Sequence, residues 1–186
     1  MSRSEAVVIG ASAGALEALS AILPGLPASF PLPIMVVVHI PPDRPSALAD
    51  LFAAKCRMIV KEAEDKEPLL AGTIYFAPPD YHLLVEVDKT VALSSDEQVF
   101  FSRPSIDVLF ETAADAYQER LIGIVLSGAN SDGANGLRAV MGAGGVGLVQ
   151  NPGTAFAAAM PEAAEKMNPG ADAMTLAEIA EYLKKV

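Results

Sequence analysis

The chain has 186 residues, 52% apolar and 19% charged, which is enough for a sizeable core and excludes a disordered polyampholyte. Its 13 basic and 23 acidic side chains leave a formal net charge of −10, which excludes a broad nucleic-acid-binding surface, because phosphate contacts need a basic excess. One cysteine excludes an internal disulfide and a multi-cysteine metal site, two histidines leave little for a histidine-based one, and no apolar stretch approaches the ~18 residues of a membrane span.

The N-terminus carries no signal-peptide core and enters an apolar run, AVVI at 6–9, almost at once. A cytoplasmic single domain spanning 1–186 is the expectation. Similar runs follow at 34–38, 121–126 and 146–149. They are rich in Val and Ile and do not alternate with polar residues, as suits parallel strands covered on both faces. Helical spacing lies between them. Leu16, Leu19, Ile22 and Leu23 form one stripe, and Pro45 and Ser46 open a second helix carrying Leu48, Leu51 and Phe52. The clearest pattern puts Ile106, Leu109, Phe110, Ala113, Ala114 and Tyr117 on one face, with Ser105 as the N-cap. Near the C-terminus, Thr175 and Glu178 form a capping box ahead of Leu176, Ile179, Ala180 and Leu183. One segment breaks the alternation: 73–77, 83–87 and 91–93 read as short antiparallel strands, with a turn at Asp88-Lys89. Together these patterns predict a doubly wound, mostly parallel α/β sheet with an inserted antiparallel β-hairpin.

Open α/β sheets bind ligands beyond the carboxyl ends of their strands. The first strand is followed by Gly10-Ala11-Ser12-Ala13-Gly14, the second by His39, and the 121–126 strand by a loop containing Asp132. A serine hydroxyl needs a base to take its proton as it attacks, imidazole suits that task near neutrality, and a carboxylate fixes the imidazole tautomer. Ser12, His39 and Asp132 are therefore the candidate nucleophile, base and orienting acid. Gly10 and Gly14 flank Ser12 in a G-x-S-x-G pattern, as at a sharp strand-to-helix turn. Each residue has a plainer reading: a phosphate-cradling turn for the Ser12 loop, a backbone-bonded loop histidine for His39, a helix cap for Asp132. The dinucleotide pattern is broken at Ala11-Ser12. No carboxylate pair has glycosidase or divalent-metal spacing.

The blocks GASAGALEAL, VVVHIPP, AGTIYFAPPDYHLLVE, SRPSIDVLF, IGIVLSGANSDGANGL and AAAMPEAA resemble, in this order, the catalytic domain of the chemotaxis receptor methylesterases, the CheB family, from about Val7 to Leu183. The resemblance implies hydrolysis of glutamate methyl esters on bacterial chemoreceptors, with glutamine deamidation as a second activity. It implies an α/β sheet with an added hairpin, no metal or organic cofactor, and Ser12, His39 and Asp132 as the catalytic set. The implied partner is a methyl-accepting chemoreceptor or a similar helical signalling protein.

Three departures from the family pattern carry expectations of their own. Members usually begin with a phosphorylatable receiver domain; here the strand pattern starts at Ala6, so activation is expected to be constitutive or to come from a separate regulatory protein. Ala13 stands where the family has Thr, and Ala129 where it has Met. With Arg103 and Met160 these are the expected substrate-binding positions, Arg103 or Arg44 steering an acidic bundle against the net charge. The Ala13 N–H and the 128–130 turn are expected to hold the oxyanion. Ala13 and Ala129 leave a second reading, a receptor-docking module with weak turnover, and the 10–14 turn leaves a third, a nucleotide binder using it as a phosphate cradle. His82 is expected to be structural or near the substrate, and Cys56 a buried small hydrophobe.

Overall fold

A computed structural model describes residues 3–40 and 47–186. Among the described residues, seven strands, all parallel, form one sheet in the order β3 (Ile59–Glu62), β4 (Thr73–Phe76), β2 (Ile34–Val38), β1 (Ala6–Ala11), β7 (Leu121–Val125), β8 (Val146–Gln150), β9 (Asp172–Met174). The central three are β1 (Ala6–Ala11), β2 (Ile34–Val38) and β7 (Leu121–Val125), every residue of which is buried. Alternation along β1 splits the core: Ala6 and Val8 face one layer, Val7, Ile9 and Ala11 the other. The first layer holds α3 (Ile106–Tyr117), α4 (Ala134–Gly142) and α5 (Ala159–Met167); the second holds α1 (Ala15–Ile22) and α6 (Leu176–Leu183). The chain leaves β1 toward β2 on one side and later returns to its other side as β7. The carboxyl ends of β1 and β7 therefore bound the crevice where such sheets bind ligands.

The expected strands at 6–9, 34–38, 121–126 and 146–149 are β1, β2, β7 and β8 (Val146–Gln150). The hairpin is β5 (His82–Val85) paired with β6 (Val91–Ser94), and Lys89 turns the chain with φ 64°. The expected first hairpin strand differs. β4 (Thr73–Phe76) lies parallel in the main sheet between β3 (Ile59–Glu62) and β2. All of β4 is buried, the mark of a strand covered on both faces. The edge strands β3 and β9 (Asp172–Met174) had no apolar run to announce them, being polar or half-exposed.

The expected stripe on α3 is buried at all six positions. On α1, Leu16 is 48% exposed, and Ala15 and Ala18 take the inner face with Leu19 and Ile22. α2 (Leu48–Lys55) buries only Phe52; its expected opening at Pro45 and Ser46 lies outside the described residues. Thr175 and Glu178 form the capping box of α6.

α3 crosses close to β1 because Gly10 has no side chain: a Cβ there would overlap Ile106. Gly10→Ala is therefore expected to destabilise the protein by about 1–3 kcal/mol through overpacking, read as a lower urea midpoint at unchanged m. An unchanged midpoint would mean that α3 can simply move back.

Candidate active site

The Ser12 loop is pinned from two sides. Ser12 N–H donates to Ser127 O (2.9 Å), and Ser127 Oγ donates to Ala13 O (2.6 Å). Ser127 N–H in turn donates to the buried Gln150 Oε1 (3.0 Å), so β1, β7 and β8 jointly hold the turn. Gly14 caps α1 at φ 83°, where a Cβ would lie 2.7 Å from both Phe156 Cβ and Ser127 Oγ. A left-handed backbone and a packed surrounding both require glycine there. Ser12 itself is half-buried.

His39 comes one residue after β2. Because Ala11 pairs with Val38, and His39 N–H donates to Ala11 O (3.2 Å), Ser12 and His39 leave adjacent strands at the same level. The His39 ring is 11% exposed and its Nε2 lies 2.7 Å from Oδ2 of Asp132, whose side chain is fully buried. Asp132 accepts three further hydrogen bonds: Ile106 N–H to Oδ2 (2.7 Å), Ser105 Oγ to Oδ1 (3.0 Å) and Asp107 N–H to Oδ1 (2.9 Å). Burial works to raise the Asp132 pKa, but the bonds from His39 and from the Asp107 and Ile106 amides outweigh it and hold the carboxyl below its ordinary range. An ionised carboxylate has no proton to give. Nε2 must carry the hydrogen, which leaves Nδ1 with its lone pair free to accept one. Among the described residues, no hydrogen bond joins Ser12 Oγ to His39, the contact that a nucleophile and its base would share.

The plainer reading of Asp132 as a helix cap is half right. It caps α3, across the site, rather than α4, which follows it in sequence. For the same reason the Ser105 side chain does not cap α3: its hydroxyl donates to Asp132, which takes the amides instead.

The other expected positions vary. Ala13 N–H meets no protein acceptor among the described residues and is free for a ligand. Gly128 N–H is already committed to Ala157 O (3.0 Å), which removes it from the expected oxyanion turn. Ala129 is exposed beside it. Met160, an expected substrate-binding position, is fully buried against Gly128 and donates its N–H to Gly128 O (2.9 Å), so it supports that loop from behind. Arg103 spends its guanidinium on Asp80 Oδ1 (2.7 Å from Nη2) and on the carbonyls of Ser95 and Asp96, and it lines a cavity of about 280 Å³ with His39, Phe101 and Pro104. Arg44 lies outside the described residues. His82 is buried: Nε2 lies 2.8 Å from Glu97 O, and Nδ1 accepts from Ser105 N–H (3.1 Å). Cys56 is half-buried, and burial raises its thiol pKa despite the neighbouring Lys55.

Sequence reasoning missed Ser127, Gln150 and Asp107, whose partners lie on other elements. It also missed an apolar rim. Phe101 (96% exposed) lines the cavity beside His39, and Phe156 (77%) packs on Gly14. Exposed phenylalanines at a crevice were the available signal, but a single sequence does not say which rings are exposed. Among the described residues no cluster of His, Cys, Asp and Glu could hold a metal ion, and no helix is long and apolar enough to cross a membrane.

A family model described as CheB methylesterase matches residues 7–183. A Leptospira interrogans protein, provisionally named a protein-glutamate methylesterase/protein-glutamine glutaminase, is 48% identical over 177 residues, which cover 95% of this chain and 92% of that protein. The Anaeromyxobacter dehalogenans protein-glutamate methylesterase/protein-glutamine glutaminase 2 is 39% identical over 99% of this chain and 54% of its own length, so this chain spans about half of it. The crystal structure of the Thermotoga maritima CheB methylesterase catalytic domain matches with a TM-score of 0.93 at 32% identity, over 99% of each chain.

Proposed function

The chain belongs to the CheB methylesterase family, and on that premise we propose that it is a serine esterase that hydrolyses glutamate methyl esters, and deamidates glutamines, on a methyl-accepting chemoreceptor or a similar helical signalling protein in the cytoplasm. The observation that carries this reading is the 2.7 Å bond from His39 to Asp132 at the sheet edge where Ser12 emerges. Ser12 Oγ attacks the ester carbonyl while His39 Nδ1 takes its proton. The imidazolium is held through Nε2–H by Asp132. Ala13 N–H stabilises the oxyanion. His39 then returns the proton to the departing methoxide, releasing methanol. Water, deprotonated by the same nitrogen, cleaves the acyl-serine to leave glutamate, and His39 returns that proton to the departing Ser12 Oγ. With glutamine the leaving group is ammonia. Bonds between nucleophile and base are commonly loose until substrate is seated, which accommodates the unmade Ser12–His39 contact.

The test is methanol release from a methyl-esterified receptor cytoplasmic fragment. Release above the uncatalysed rate supports the reading; binding of the fragment without release favours a docking module and overturns it. The apolar rim fits a substrate presented on an amphipathic surface. Phe156→Ala is expected to raise KM for the receptor fragment about tenfold, with kcat changed less than threefold, as for loss of an aromatic anchor. An unchanged KM would remove the ring from substrate binding.

A further inference from the structure

One buried ionisable group has no part in these steps. Asp107, in the first turn of α3, is 5% exposed. Its Oδ1 accepts from Gly133 N–H (2.9 Å) and Gly136 N–H (2.7 Å), the opening amides of α4. Its own N–H donates to Asp132 Oδ1 (2.9 Å). The two helices thus exchange caps: the aspartate at the start of α4 closes α3, and the aspartate at the start of α3 closes α4. Gly133 directly follows Asp132, so the bond from Asp107 holds the very loop that carries the orienting carboxylate. The approach is close enough that a Cβ at Gly136 would lie 2.6 Å from Phe110 Cβ and 3.0 Å from Asp107 Cα.

We propose that Asp107 is a positioning residue for the Asp132–His39 pair, holding the Asp132 loop with its carboxylate and the Asp132 carboxylate with its amide. The proposal rests on the reading of Ser12, His39 and Asp132 as the reacting set. Two effects support it. Two opposed helix N-termini present unpaired amides to a buried space, and the carboxylate from each side accepts from two amides at the start of the other. The charges that face Asp107 are Asp132, from the loop before α4, and Glu111, one turn along α3; His39 and His82 stand behind Asp132 and Ser105. Burial, then the negative charge of Asp132, raises the Asp107 carboxyl to about 6, while the α4 amides oppose the shift. On acidification Asp107 therefore takes a proton before Asp132, whose pKa is lowered.

The test compares Asp107→Ala with Asp107→Asn. Asparagine keeps the Oδ1 acceptor, and because Asp107 Oδ2 accepts no hydrogen bond among the described residues, its amide nitrogen meets no opposing donor. The readouts are ester hydrolysis, the imidazole ¹⁵N spectrum of a protein with just two histidines, and Tm against pH. Asp107→Ala is expected to lower kcat about 10²-fold, as for a misplaced reacting group, with KM within twofold, and to shift the His39 Nε2–H signal. Asp107→Asn is expected to restore both. A raised carboxyl pKa stabilises the fold below its unfolded value and loses that contribution as pH rises from about 4 to about 6. Asp107→Asn should therefore gain Tm relative to wild type over that interval. A folded Asp107→Ala with wild-type kcat and imidazole spectrum overturns the proposal. If Asp107→Ala does not fold, Asp107→Asn decides: a shifted His39 Nε2–H signal in that variant overturns the proposal, because its retained Oδ1 acceptor should hold the loop. Should the wild type hydrolyse no ester, the esterase reading fails by itself, and the imidazole spectrum still reports whether Asp107 positions the pair.

Discussion

Ser12→Ala is expected to lower ester hydrolysis by at least ~10³-fold in kcat while leaving the fold untouched. The reason is chemical and local. Ser12 Oγ makes no hydrogen bond among the described residues, so its loss breaks no network. What anchors the loop is the Ser12 N–H to Ser127 O and the Ser127 hydroxyl to Ala13 O, and alanine retains both. Stability should change by less than about 0.5 kcal/mol, as for a surface substitution outside any network. Methanol release and urea denaturation on the same preparation check the two halves. Activity surviving within tenfold would take the nucleophile away from Ser12, and with it the proposed acyl-serine route. A large loss of stability would mean that the hydroxyl has a structural partner.

Asp132→Asn should be the most damaging single change to both activity and stability. All four hydrogen bonds to this side chain arrive from donors: the His39 ring, the Ser105 hydroxyl and the Ile106 and Asp107 amides. An asparagine nitrogen at either position is itself a donor. At Oδ1 it faces Ser105 and Asp107; at Oδ2 it faces Ile106 and forces the other tautomer on His39. One or two buried donors go unpaired, costing about 2–4 kcal/mol. The tautomer change, or loss of the imidazolium's counter-charge, is worth about 10⁴-fold in kcat in a comparable triad. The pH dependence follows from the same bonds. A carboxyl held below its ordinary pKa contributes stability that is complete above the unfolded value near 3.8 and is lost as pH falls through the folded one. Wild type should thus lose Tm below about pH 4 more steeply than Asp132→Asn. A variant that keeps wild-type Tm and at least a tenth of wild-type kcat would show that the network is dispensable.

Much of the frame was readable from residue order. Unalternating Val- and Ile-rich runs marked the buried parallel strands, because a strand covered on both faces has no polar side to show. The α3 stripe was readable because each of its six apolar positions is buried. Segments of mixed character were not. β3 and β9 are edge strands recruited by backbone pairing, which leaves little trace in side-chain type, and β4 was drawn toward the hairpin by its nearness in sequence.

The site divides along the same line. Sequence alone placed Ser12, His39 and Asp132 at the carboxyl ends of their strands, because a parallel sheet puts every strand-end loop on one side. Only the tertiary structure decided which groups those residues bind: that Asp132 closes α3 and Asp107 closes α4, that Met160 lies buried under Gly128, and that Arg103 is already engaged with Asp80. Periodicity records whether a side chain is covered, since burial acts on each element separately. The choice of hydrogen-bond partner depends on distances between elements, and those exist only once the layers have packed.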